Sequence, residues 1–124
     1  MIELRNESPS GGYHIRGYKP NEVIINDTTY HSSLIVCAHT LIENWRPLTI
    51  QELIATDWEP VIALGPKVVL LGTGSTLYFP STEVLAPLIE MKIGYEIMDT
   101  AAACRTFTVL MAEDRQVVAA LLLG

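Results

Sequence analysis

The sequence predicts an α/β fold: a single three-layer domain with a mixed central β-sheet, helices on its faces and an additional antiparallel β-hairpin region. Three observations carry this. From Lys67 onward, short apolar runs alternate with amphipathic stretches in the order strand, helix, strand, helix, strand. Between Tyr13 and Ala38 the chain is rich in β-branched residues and broken by turn formers. Hydrophobic residues make up 49% of the 124 residues, so the chain is long and apolar enough to fold without disulfide or metal. The expected unit spans residues 1–124, with 1–12 loose because Ser8-Pro9-Ser10-Gly11-Gly12 disfavours regular structure.

From Tyr13 the pattern is β. Val23-Ile24-Ile25 and Thr28-Thr29-Tyr30 flank Asn26-Asp27, whose residue types tolerate the left-handed backbone of a two-residue hairpin turn. Leu34 to Ala38 is a further strand, and Asn44-Trp45-Arg46-Pro47 a loop. Thr49 and Glu52 have the spacing of a capping box, with Leu48 and Leu53 placed as a hydrophobic staple. This predicts a helix from Ile50 to about Ala55, with Ile50, Leu53, Ile54 and Trp58 on one face and Pro60 limiting its continuation.

Lys67 to Leu71 is an apolar strand that runs into Gly72-Thr73-Gly74. Pro80-Ser81-Thr82-Glu83 starts a helix over Thr82 to Lys92, with Val84, Leu85, Leu88 and Ile89 as its buried face and Gly94 as its end. Pro87 inside it predicts a kink or a late start. Tyr95 to Met98 is a strand, Asp99 or Thr100 caps a helix over Ala101 to Ala112, and Val117 to Leu122 is the last buried strand. The connection through the first of these helices makes strands 67–71 and 95–98 parallel.

Composition narrows the function. The net charge is −6 and the pI about 4.9, and the eight basic residues are scattered, which disfavours nucleic-acid binding. The longest apolar stretch near the end, Val117 to Leu123, is far short of the ~20 residues a membrane span needs. The opening Met1-Ile2-Glu3-Leu4-Arg5 has no apolar signal core, so a cytoplasmic location is expected. Cys37 and Cys104 are far apart and fit neither a disulfide framework nor a CxxC motif, which reads as two reduced thiols. Cys37 and His39 would share a strand face, with His31 at odd spacing; two ligands fall short of the four a structural zinc site wants, so no metal or other cofactor is expected.

The runs Leu70-Leu71-Gly72-Thr73-Gly74, Gly94 to Thr100, Ala102 to Phe107 and Arg115 to Leu121 together resemble the Mth-type domain family, a domain of unknown function in bacteria and archaea with eukaryotic relatives. The similarity extends from about Tyr13 to the end and is most specific at Met98-Asp99-Thr100 and the helix after it. Trp45 stands where the family has tryptophan; Phe107-Thr108 departs from the family's Tyr-Asn. The resemblance implies a three-layer α/β fold whose mixed sheet has one strand antiparallel to the others. It implies no catalytic residue, and an assembly-factor role exercised through protein contact.

One polar constellation stands out. The parallel crossover sets Gly72-Thr73-Gly74 near Asp99-Thr100 at the carboxyl edge of the sheet, where open α/β sheets bind ligands. Free helix N–H groups, the glycine loop and Arg105 would favour an anion or a partner's carboxylate. The same residues also have ordinary uses as turn, cap and ion-pair partner. The run is neither a P-loop, lacking the Lys and Ser/Thr, nor GxGxxG, since Leu77 occupies the third glycine's place. Cys104, on a helix that packs on the sheet, reads as a small buried hydrophobe rather than a nucleophile. Trp45, Tyr78 and Phe79 lie in or beside loops and would anchor an interface if exposed together. Two functions follow: a protein-interaction or assembly domain, which predicts an exposed apolar patch, or a small-molecule or anion binder or enzyme, which predicts a pocket joining Gly74, Asp99 and Arg105.

Overall fold

The computed structural model describes residues 4–5 and 11–124. A six-stranded sheet forms the middle layer, in the order β1 (Leu4–Arg5), β6 (Leu41–Ile42), β5 (Leu34–Val36), β9 (Val117–Leu121), β7 (Val68–Gly72), β8 (Gly94–Met98). β7 pairs parallel with both β8 and β9, while β5 runs antiparallel to β9 and to β6. Leaving aside the two-residue edge strand β1, β5 is the one antiparallel member. A second, antiparallel sheet joins β2 (Ile15–Lys19), β3 (Glu22–Ile25) and β4 (Thr28–Tyr30).

The layering follows from alternation along the central strand. Val117, Ala119, Leu121 and Leu123 point into one core with Phe107, Cys104, Val23 and Ile25. Val118, Ala120 and Leu122 point into the other with Trp58, Leu85 and Leu88. Helix α2 (Thr82–Glu90) carries the chain from β7 outward to β8, and α3 (Thr100–Ala112) carries it back past β7 to β9. The two crossovers move in opposite directions, so a common right hand puts their helices on opposite faces. The three-stranded sheet lies on the α3 side.

Local signals account for the second half. Ser81 accepts from the Val84 N–H at 3.3 Å, and Asp99 accepts from Ala102 N–H at 2.8 Å, so both helices begin at side-chain caps. Pro87 does not delay α2, which starts at Thr82; Ile89, expected in the buried face, is exposed. Gly94 is not the helix stop. Lys92 takes the left-handed turn at φ 56°, and Gly94 opens β8 against the Lys67 carbonyl. In the hairpin, Asn26 adopts φ 52° as its turn requires.

The first half differs more. The expected loose segment 1–12 lies largely outside the described residues, but Leu4–Arg5 within it is strand, paired with β6. Leu34 to Ala38 ends early at Val36, where the Cys37 N–H turns back to the Thr40 carbonyl and β6 begins.

The helix over 50–55 is absent. In its place stand two 3₁₀ turns, Ile50–Glu52 and Ala55–Trp58, and a short helix α1 (Glu59–Ile62), in whose first turn Pro60 sits. The capping box does not close: Thr49 makes no cap bond, and Glu52 accepts from Leu48 N–H at 3.3 Å. Arg46 is the cause. Its guanidinium donates to the Glu52 carbonyl and forks onto the Asp57 carboxylate at 2.7 and 2.8 Å. Asp57 in turn accepts from Ile54 N–H at 2.9 Å, which starts the second turn. Trp58 and Leu53 are thereby buried, whereas Leu48 and Ile54 remain exposed. Trp45 packs on Trp58 with ring centroids 5.8 Å apart and donates its indole N–H to the Asp57 carbonyl.

Candidate functional site

The carboxyl edge of β7 and β8 brings Gly72, Thr73, Gly74, Asp99 and Thr100 together, and they bond mainly to the protein itself. Thr100 is fully buried; its hydroxyl donates to the Leu122 carbonyl at 2.9 Å and accepts from Gly74 N–H at 2.8 Å. The Thr100 N–H returns to the Gly74 carbonyl at 2.9 Å. Thr73 N–H reaches the Met98 carbonyl, and its hydroxyl donates to Thr76 O at 2.7 Å and accepts from Tyr78 N–H at 3.3 Å. Gly72 is required by proximity: a Cβ there would stand 2.9 Å from both Cα and Oγ1 of Thr100. Gly74 is required by its backbone, at φ 100°. The result is a buried, mutually hydrogen-bonded knot at the base of the loop leaving β7.

Arg105 does not join this knot. It opens into a separate groove between α3 and β2, lined with Arg16, Tyr18 and Cys104. The two halves of the expected pocket thus face different grooves. The groove beside the loop is shallow, about 160 Å³, between Thr49 to Gln51 and Thr73, Ser75 and Tyr78. A hydrogen bond with Ser75 links Tyr18 to the loop; burial raises the Tyr18 hydroxyl above its usual pKa, that bond works against the shift, and Cys104 and Asp99 reinforce it.

What the loop displays is apolar. Leu77, Tyr78 and Phe79 are 46, 51 and 71% exposed, and no charged side chain occurs from Gly72 to Thr82. Leu48, also exposed, lies at the same end, its carbonyl bonded to Gly124 N–H beside this groove. Trp45, expected with Tyr78 and Phe79, is instead 3% exposed and belongs to the core.

The opposite end of the sheet holds two adjoining clefts of about 320 and 350 Å³ that share Ala38, His39, Met111 and Asp114. Sequence patterns gave no sign of them, because they arise where chain ends of β5, β7 and α3 meet. Cys37 and His39 line the first, and among the described residues no group of three or more His, Cys, Asp or Glu is arranged to hold a metal. The two thiols differ in their surroundings. Cys104 is buried and its pKa is pushed up to about 12 by that burial, with the Arg105 charge opposing; Cys37 is only half-buried. Native alkylation followed by mass spectrometry should label Cys37 first and Cys104 only on unfolding. Prompt labelling of Cys104 would contradict its placement.

The family model described as "Protein of unknown function (DUF498/DUF598)" matches residues 15–122. The chain belongs to this family. Among solved structures, this DUF498 domain is similar to a Xanthomonas campestris protein at 38% identity and a TM-score of 0.82, over 90% of this chain and 85% of that one. A Bordetella pertussis protein described as a Mth938-like domain has the same fold, at 24% identity and a TM-score of 0.80, over 98% of this chain and 92% of that one. A Francisella tularensis protein named "13 kDa major membrane protein" is 25% identical over 118 residues, 94% of this chain and 96% of its own length. In this DUF498 domain, no helix among the described residues is long and apolar enough to cross a membrane.

Proposed function

We propose that this DUF498 domain is a non-catalytic protein-interaction module, assembly-factor-like in its action, that docks a partner through Leu77-Tyr78-Phe79. The observation that carries this is an exposed apolar tripeptide held on a hydrogen-bonded base. The Thr73 hydroxyl fixes both Thr76 and Tyr78, and Thr100 fixes Gly74. Large side chains presented by an ordered loop lose little freedom on binding, and aromatic anchors of this kind dominate interface energies. The uncharged surroundings select a partner surface that is itself apolar. The anion pocket of Gly72, Thr73, Gly74, Asp99, Thr100 and Arg105 has less support, since the knot bonds to itself and Arg105 faces elsewhere.

The working compartment we propose is the cytoplasm, supported by two unpaired cysteines. The Francisella relative's name points to membrane association, which for this chain would be peripheral, and cell fractionation decides between the two.

The Leu77→Asp/Phe79→Asp double variant tests the docking reading. Both positions are exposed, so stability should change by no more than about 1 kcal/mol. Native size separation of cell extracts should show the wild type in a larger assembly and the variant at the size of the free chain. Identical migration of both would reject docking through this loop.

A further inference from the structure

The groove between β2 and α3 has a different chemistry from the loop. Arg16 lines it from the strand and Arg105 from the helix, and neither makes an ion pair among the described residues. No carboxylate lines the groove, while Ile15, Ala101 and Cys104 give it an apolar floor. Asp99, whose charge acts on Tyr18, has its carboxylate tied to the Ala102 N–H at 2.8 Å.

The strand is deformed at Arg16. Ile15 pairs with Ile25 and Gly17 with Ile24, so Arg16 is the extra residue of a β-bulge. Bulges re-aim a side chain at the cost of local pairing. On α3, Ala101, Cys104, Arg105 and Thr108 recur at helical spacing along the stripe facing β2. Strand and helix thus each contribute one arginine to the lining of one depression of about 240 Å³ that no carboxylate residue lines.

We propose that this groove binds a small phosphate-bearing molecule, held between Arg16 and Arg105. A carboxylate is satisfied by one planar guanidinium fork, whereas a phosphate spreads its oxygens tetrahedrally and accepts two forks from different directions. The volume admits a phosphate with a short organic tail, and the apolar floor suits a few carbons of it. This goes beyond docking through Leu77-Tyr78-Phe79 and uses a different surface.

The test is an NMR titration of the isotope-labelled full chain with inorganic phosphate, a short alkyl phosphate monoester and succinate at constant ionic strength. The side-chain Nε–H signals of Arg16 and Arg105 and the amides of Gly17 and Ala101 are followed. Both phosphates should shift them saturably, the ester more tightly, and succinate at least tenfold more weakly. Arg16→Gln and Arg105→Gln should each weaken binding by roughly tenfold or more, since each removes a charge-assisted pair. Both side chains are exposed, so melting temperatures should stay near wild type. Arg105→Lys should recover part of the affinity. No saturable shift, shifts unaffected by either Gln variant, or succinate binding as well as phosphate would each overturn the proposal.

Discussion

Thr100→Val should destabilise the domain by about 3 kcal/mol, a fall in melting temperature of roughly 10 °C. Valine matches threonine in shape, so the packing beside Gly72 is kept and only the hydroxyl is lost. That hydroxyl serves two buried backbone groups, the Gly74 N–H and the Leu122 carbonyl. A buried polar group without a partner costs on the order of 1–3 kcal/mol, and here there are two. The local consequence matters as much as the global one. With Gly74 released, the loop that presents Leu77, Tyr78 and Phe79 loses one of its fixings, and amide exchange from Gly74 to Tyr78 should accelerate beyond the rest of the chain. Thermal melting and hydrogen exchange check the two parts; a melt unchanged from wild type would show that the knot is not where the edge is held.

Asp57→Ala should cost about 2–4 kcal/mol, and it should change how stability depends on pH. The carboxylate is nearly buried, takes both arms of Arg46 and accepts from Ile54 N–H, so it organises the segment from Arg46 to Trp58. Burial by itself would raise its pKa, but the Arg46 hydrogen bonds, the Ile54 N–H and the Arg46 charge together hold it below the ordinary value of 3.8. The depressed folded-state value fixes the sign. The stabilisation is fully present above the unfolded-state pKa and is lost as pH falls through the lower folded-state value. Acid unfolding of the wild type should therefore contain a component below about pH 4 that Asp57→Ala lacks. Parallel acid transitions in the two proteins would mean that Asp57 is not depressed.

The parts of this fold legible in the sequence are those set by local chemistry. Asp99 caps α3, Ser81 caps α2, Asn26 turns the hairpin, and the uninterrupted apolar run Val117 to Leu123 marks a strand buried on both faces. The segment from Thr49 to Trp58 misleads because its signal is local and its determinant is not. Thr49 and Glu52 have capping-box spacing, but Arg46 occupies the Glu52 carbonyl and draws Asp57 in. Trp45 and Phe79 look alike in sequence, as aromatics in loops. Which of them is buried depends on Trp58 lying beneath the first, a contact across 13 positions.

The candidate sites divide in the same way. The glycine loop and Asp99-Thr100 meet because a parallel crossover places strand ends side by side, which sequence order reveals. Arg105 follows Asp99 on the helix that Asp99 caps, yet it lines the groove against β2 instead. Its neighbour Arg16 is brought there by a bulge that depends on pairing with β3, and no pattern within β2 announces it.

The central claim is that the loop after β7 is a docking surface, and in-cell photo-crosslinking tests it most directly. A photoreactive residue is placed at Phe79, with Val109 on α3, which is also apolar and exposed, as the control. The account predicts one discrete adduct of higher mass from position 79, absent from position 109 and abolished by Leu77→Asp. No adduct from position 79, or the same adducts from both positions, would contradict it.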